Sequence, residues 1–196
     1  MRSKDFRQES WRRKFAMDSV IEKASPNIGH NVISQLVNDG QVSLVITQNV
    51  DGLHQASGIA EDIVVELHGN STYARCLSCQ MLYALETIKA QFLRDNEPPL
   101  CTNCEGLIKT ATISFGQPMP EKEVRRAETA AKAAKLFIVV GSSLVVYPAA
   151  GLPVIAKQQG AKLVIINREP TELDGIADLV INAEIGVTLS ALVNNP

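Results

Sequence analysis

Aromatic residues make up only 5% of the 196-residue chain, with a single tryptophan, Trp11. Histidine is scarcer: His30, His54 and His68 are the whole set. An excess of either charge is missing too. Nineteen Lys and Arg stand against 21 Asp and Glu, a formal net charge of −2, and no basic block occurs. A balance this near neutral gives no sign of a polyanion-binding surface. No repeat and no low-complexity tail interrupts an ordinary globular composition, 45% hydrophobic and 20% charged. One long run, residues 136–156, carries no charge. Gly141-Ser142-Ser143 breaks it, and Pro148, Gly151 and Pro153 follow, so it is not a membrane helix. It reads as a strand, a glycine turn and a helix start. Met1-Arg2-Ser3-Lys4-Asp5 lacks the apolar core of a secretory signal, so the expected location is cytoplasmic.

What is present centres on residues 42–68. Val42-Ser43-Leu44-Val45-Ile46 breaks into Thr47-Gln48-Asn49-Val50-Asp51-Gly52-Leu53-His54. A second run, Ile63-Val64-Val65-Glu66-Leu67, delivers His68-Gly69-Asn70. Short β-branched runs ending in polar residues and Gly read as buried parallel strands with functional loops at their carboxyl ends. Ligands of open α/β sheets collect there. Gln48, Asn49, Asp51 and His68 are too many polar groups at strand ends for packing alone.

Around this stretch strands and helices alternate. The spacing predicts helices over 8–24, over 26–39 with Ser25 as cap and Pro26 in the first turn, and over 120–134, 149–159 and 188–193. Strands are expected over 42–46, 63–67, 110–115, 136–140, 162–166 and 179–181. The pattern gives an α/β fold with a Rossmann-like parallel sheet. Its expected domain comprises 1–70 and 110–196, and 71–109 is an insertion with a helical middle over 85–93.

All four cysteines fall in that insertion, as Cys76-Leu77-Ser78-Cys79 and Cys101-Thr102-Asn103-Cys104. Each C-x-x-C turn can aim two thiolates at one ion, and two turns complete a tetrahedron. Disulfides or a thioredoxin-like redox pair are the competing readings, and a cytoplasmic chain disfavours the first. Four thiolates leave no open coordination position, so the zinc is expected to be structural. Gly141-Ser142-Ser143 after one strand and Asn167-Arg168-Glu169 after another suit phosphate and ribose oxygens. Of the histidines, His30 falls on the polar side of a helix and His54 suits a supporting role. His68 comes straight off a buried strand and fits a general base.

Taken in order, the TQNVDGLH segment from Thr47, Glu66-Leu67-His68-Gly69-Asn70, the paired C-x-x-C, Ile113-Ser114-Phe115-Gly116-Gln117, Gly141-Ser142-Ser143-Leu144 with Pro148-Ala149-Ala150, and Ile166-Asn167-Arg168-Glu169 resemble the sirtuins. These are the NAD-dependent protein lysine deacylases, and the resemblance runs from about Trp11 to Val193. It implies that His68 is the base acting on a hydroxyl of the nicotinamide ribose, with Asn49 and Asp51 beside it. Gln48, Asn49 and Asp51 would form the nicotinamide-ribose pocket. Gly141, Ser142 and Ser143 would meet phosphates and ribose, and Asn167, Arg168 and Glu169 the adenosine side. Ile113, Phe115 and Gly116 on one side, and Val145 and Val146 on the other, would hold an extended acyl-lysine protein or peptide by strand addition. In the implied reaction the acyl oxygen attacks the ribose carbon and expels nicotinamide, and the acyl group passes to ADP-ribose. NAD and one structural zinc are the implied cofactors; neither nucleic acid nor membrane is an expected partner.

The family's Gly-Ala-Gly-x-Ser turn is found nowhere in this sequence. The expectation is a sirtuin sequence that begins after its first βα unit. Asp5-Phe6-Arg7 repeats letters of the family but not their flank, and no role is carried onto it. The alternative reading is a catalytically inactive sirtuin-fold protein that keeps zinc and a peptide groove. A nucleic-acid-binding zinc ribbon is disfavoured by the charge balance.

Overall fold

A computed structural model describes residues 3–21, 24–114 and 116–194. Helices α1 (Lys4–Ile21) and α2 (Ile28–Asn38) lead to β1 (Val45–Thr47). The short α3 (Leu53–Ala56) and a 3-10 turn precede β2 (Val64–Glu66) and β3 (Gly69–Cys76). Next come β4 (Leu82–Ala84), α4 (Leu85–Asp95), β5 (Ile108–Thr112) and α5 (Glu121–Ala133). The chain finishes with β6 (Leu136–Val140), α6 (Leu152–Gln158), β7 (Lys162–Ile166), β8 (Leu179–Ile181) and α7 (Ile185–Asn194). The charge-free run 136–156 is therefore strand, turn and helix. No helix of the described residues is long and apolar enough to cross a membrane.

Two compact units divide the chain. The larger comprises Pro26–Gln48, Leu53–Leu67 and Pro118–Pro196 and carries all the parallel pairing. Here β1 pairs with β2, and β6, β7 and β8 form a three-stranded sheet in that order. Among the described residues the two pieces share no strand pairing, where the sequence leads one to expect a single sheet. They are joined through side chains: Leu44, Ile46 and Phe137 pack on one apolar cluster with Val65, Leu67, Ala127, Ala131 and Ala156. Helix α5 can approach that closely because Ala127 and Ala131, one turn apart, present no bulk.

Helix α2 starts later than its cap signal suggests. Asn27, not Ser25, is the N-cap: its Oδ1 accepts the His30 amide at 3.1 Å, and the Asn27 amide donates to His30 Nδ1 at 3.3 Å. An amide side chain just after the proline outcompetes the serine before it. Strand β1 is shifted from 42–46 to Val45–Thr47 because the Val42 amide donates to Leu36 O at 3.1 Å, closing the helix.

Asp178 ties α6, β7 and the start of β8. Its carboxylate accepts from Lys157 (2.5 Å), Lys162 (3.0 Å) and the Leu163 amide (2.8 Å). These donors, Lys157 foremost, hold the carboxyl well below the usual carboxylate range. A depressed carboxylate stabilises the fold above its unfolded pKa, near about 4, and loses that contribution as pH falls toward the folded value. Asp178→Asn is expected to lower Tm at neutral pH and to blunt the further loss of Tm on acidification. Thermal melts across an acid series check this; a mutant with the wild-type profile would remove Asp178 from the account.

The smaller unit comprises Met1–Ser25, Asn49–Gly52 and His68–Gln117. Its sheet is antiparallel, with β3 between β4 and β5. Trp11, Ile88, Phe92, Ile108, Cys76 and Cys101 form its core, with Phe15 and Tyr83 packed against it. Trp11 and Phe15 stack at 5.3 Å, as their four-residue spacing predicts. This unit is wider than the insertion expected over 71–109. The β5 run pairs antiparallel with β3 rather than joining the parallel sheet, and it ends at Thr112, not at residue 115. A turn then closes with the Gln117 amide on Ser114 O at 2.9 Å, and Gly116 has φ +81. Phe115 lies outside the described residues.

Candidate active site and metal centre

In the smaller unit the Asn49–Gly52 loop is fastened to the start of β3. The Ser71 amide donates to Val50 O at 2.7 Å. Asn70 is buried, and its Oδ1 accepts both the amide and the hydroxyl of Thr72 at 2.7 Å. This fixes the strand on which the loop rests. Gly52, with φ +72, lies against Thr72 and Asn70. His68 immediately precedes β3, half-buried, and its carbonyl accepts the Ile113 amide at 2.8 Å. Gly69 has φ +72, and a Cβ there would sit 2.1 Å from Ala111 O, so only glycine lets β3 and β5 close beside His68. Asn49, Asp51 and His68 thus belong to one compact unit. Asn70 carried no role in the sequence beyond its place in the His68-Gly69-Asn70 motif, and Ser71 none, because position just after His68-Gly69 was their only signal.

The remaining cofactor candidates lie in the larger unit, at the carboxyl ends of parallel strands. Gln48 follows β1 and Ser142 follows β6, and Gln48 Nε2 donates to Ser142 Oγ at 3.4 Å. The Gly141 amide donates to Ile166 O at 2.9 Å, and Ser142 Oγ accepts the Leu144 amide at 3.2 Å, folding the turn. Gly141 has φ +62, and a Cβ there would press on Ile185 at 2.6 Å. Ser143 is exposed in the same turn. After β7, Asn167 Nδ2 donates to Glu169 O at 2.7 Å, and Arg168 pairs with Glu184 at 2.5 Å in an exposed ion pair. Val145, Val146 and Tyr147 form an exposed apolar run beside these turns. His54, on α3, packs its ring 4.9 Å from that of His30. The capping contacts of His30 give it the structural role expected of it.

The four cysteine sulfurs lie within 4.8 Å of one another. Cys76–Cys104 and Cys79–Cys101 are each 3.5 Å apart. Tetrahedral Zn–S bonds of about 2.3 Å place sulfurs about 3.8 Å apart, so the cluster fits the ion. Cys76 and Cys101 are buried; Cys79 and Cys104 are exposed, and none forms a disulfide. The Tyr83 hydroxyl, with help from the Asn103 and Cys104 amides, pulls the Cys101 thiol down to about 6. Cys104 shows the opposite balance: the Gly106 amide lowers its pKa, but the crowding sulfurs of Cys79 and Cys76 push it up to about 12. Such a set ionises fully only when a cation neutralises it.

Comparison with known proteins gives a consistent result. A match to the Sir2 family covers residues 1–148. NAD-dependent protein deacetylase 1 of Bradyrhizobium diazoefficiens is 56% identical over 193 residues, 98% of this chain and 76% of that protein. The NAD-dependent protein deacetylase of Rhodopseudomonas palustris is 55% identical over 191 residues, 97% of this chain and 76% of that one. The solved structure of Sir2Tm bound to a propionylated peptide superposes with a TM-score of 0.87 at 36% identity, covering 95% of this chain and 78% of that one.

Proposed function

This chain belongs to the Sir2 family and is an NAD-dependent protein deacetylase, and we propose that His68 is its general base. Its cofactors are NAD and a structural zinc. The observation that carries the assignment of His68 is the join between β2 and β3. There the imidazole is half-buried, its backbone is fixed by Ile113, and the Asn49–Gly52 loop is anchored to the same strand. When bound, NAD supplies the ribose carbon that receives the acyl oxygen and nicotinamide as the leaving group. His68 takes the proton of a hydroxyl on that ribose. Asn49 and Asp51 orient the nicotinamide ribose, with Gln48 beside them in sequence. The Gly141-Ser142-Ser143 turn receives phosphate and ribose oxygens, and Asn167, Arg168 and Glu169 hold the adenosine side. The half-buried amide of Asn167 and the exposed guanidinium of Arg168 and carboxylate of Glu169 suit that role.

The substrate is an acyl-lysine side chain on a protein or peptide, as in the propionylated-peptide complex of Sir2Tm. We assign Ile113 and Gly116, and separately the exposed Val145 and Val146, to substrate contact. Phe115, the remaining candidate, falls outside the described residues. Nucleic acid and membrane are not partners in this reading, in keeping with the near-neutral charge. Four free thiols in a zinc-type cluster suit the reducing cytoplasm. The inactive alternative is disfavoured, because His68, Asn49 and Asp51 are all retained. Nicotinamide release from NAD in the presence of an acetyl-lysine peptide tests the reading; a chain that binds both and releases none would return the inactive alternative.

We assign the zinc to Cys76, Cys79, Cys101 and Cys104. Cys101→Ser is expected to drop the zinc content from one per chain to none. Cys76 and Cys101 belong to the apolar core of the smaller unit, alongside Trp11 and Phe92. Metal loss should therefore loosen that whole unit, His68 included, and not the 71–109 segment alone. Metal analysis and hydrogen exchange read this out. Unchanged protection at residues 68–75 would sink the second half.

A further inference from the structure

We propose that Tyr83 is a positioning residue of the metal centre: its hydroxyl donates a hydrogen bond to the Cys101 sulfur, fixing that ligand and weakening it as an electron donor. The proposal rests on the zinc assignment above. Four groups surround the phenol oxygen: Cys101 Sγ at 3.0 Å, the Thr102 amide at 3.0 Å, Thr102 Oγ1 at 3.2 Å and Met81 Sδ at 3.4 Å. The phenol has one proton to give. The Thr102 amide can only donate, so it occupies an oxygen lone pair. Of the three acceptors left, a thioether is weak and a neutral hydroxyl is ordinary. An ionised thiolate is the strongest, since hydrogen bonds to charged acceptors are roughly twice as strong as neutral ones. It is also the nearest.

The two C-x-x-C turns are otherwise alike. The amides of Ser78 and Cys79 serve Cys76, and those of Asn103 and Cys104 serve Cys101. The Tyr83 hydroxyl is what Cys101 has in addition. Tyr83 stands on β4, paired with β3, the strand that ends at Cys76. Its ring packs on the cluster containing Trp11 and Phe92, which sets the hydroxyl before any ion arrives. One side chain thereby locks the second cysteine turn to the sheet that carries the first. Removing an outer partner that orients a metal ligand typically costs about 10–100-fold in metal affinity, and the orienting part of Tyr83's role is what carries that expectation here.

The test is Tyr83→Phe, which keeps the ring and removes the hydroxyl. Wild-type zinc content is measured first: a wild-type chain without metal refutes the zinc assignment itself, separately from Tyr83. With zinc established, chelator competition should show affinity lower by about tenfold in the mutant. The Co(II)-substituted mutant should show its sulfur-to-metal charge-transfer bands shifted to lower energy, because the thiolate becomes a better donor. Fluorotyrosine incorporated into the wild-type chain is a stronger O–H donor and should move the bands the other way, a readout that needs no mutant to fold. Affinity within twofold of wild type overturns the proposal. So does lower affinity with unmoved bands, since Tyr83 would then hold the turn without touching the sulfur's electronics.

Discussion

His68→Ala abolishes measurable deacylation while NAD still binds within a few-fold of wild type. The expected loss is about 10²–10⁴ in the rate of the acyl-transfer phase, the usual contribution of a positioned general base. The structure explains why binding and folding should survive. His68 is secured by its backbone, through the Ile113 amide at 2.8 Å, and the next turn of the chain depends on Gly69. Truncating the imidazole disturbs neither. Of the groups we assign to NAD, Asn49 and Asp51 share the smaller unit with His68, but Gln48, the Gly141-Ser142-Ser143 turn and Asn167 to Glu169 lie in the larger, so most of the cofactor's partners are untouched by the substitution. Single-turnover deacylation of an acetyl-lysine peptide, with a parallel NAD titration, separates the two effects. A mutant that deacylates at the wild-type rate would remove His68 as base. His54 would then come under test, although its ring lies against His30, as a packing residue's would.

The second large effect concerns the open edges of β1 and β6. Each has one strand neighbour only among the described residues, β2 and β7 respectively. Yet Leu136-Phe137-Ile138-Val139-Val140 has the unbroken apolar character of a strand buried on both faces. In the structure Leu136 is 53% exposed and Ile138 is 37% exposed. An apolar strand whose edge has no partner among the described residues is a site for association. The 196-residue chain by itself is therefore expected to self-associate as concentration rises, and Ile138→Lys to reduce that association. An added βα unit that pairs an extended strand with the β1 or β6 edge should likewise reduce association. Covering the remaining exposed part of Leu136 and Ile138, about half of each or less, stabilises by about 1 kcal/mol apiece. At about 2–4 °C per kcal/mol for a chain of this size, the rise in Tm should be on the order of 5 °C. NAD affinity should rise as well, because Gln48 and Ser142 stand at the ends of those two strands. Light scattering over a concentration series, melting and NAD titration measure the three effects. A short chain that stays monomeric and gains nothing from the added strand would mean that the edges are already protected.

Strands β6, β7 and β8 were legible to the residue, because apolar runs bounded by Gly, Asn and Asp leave one reading. The four-cysteine cluster was equally plain, since C-x-x-C is a local geometry that a sequence carries in full. Helix α2 was legible in its stripe but not in its start, which turned on whether Ser25 or Asn27 captured the first amides. Strand β5 was found only in part. Its residues declared a strand, but nothing in them distinguished an antiparallel place beside β3 from a parallel place beside β6.

Residue types and their spacing were enough to determine an α/β chain, four thiolates for one ion, and polar groups at strand ends suited to a dinucleotide. They could do so because periodicity records which side of each element faces apolar surroundings, and short motifs record their own geometry. The tertiary structure alone decided the rest. It gathered Asn49–Gly52, His68 and the cysteines into one unit, left β1 and β6 unpaired toward each other, buried Cys76 and Cys101 but not Cys79 and Cys104, and brought Tyr83 to a sulfur 18 residues away. Each of these depends on which distant partner an element finds. That is settled by competing backbone pairings and side-chain contacts across the whole fold, and not by any stretch of sequence read alone.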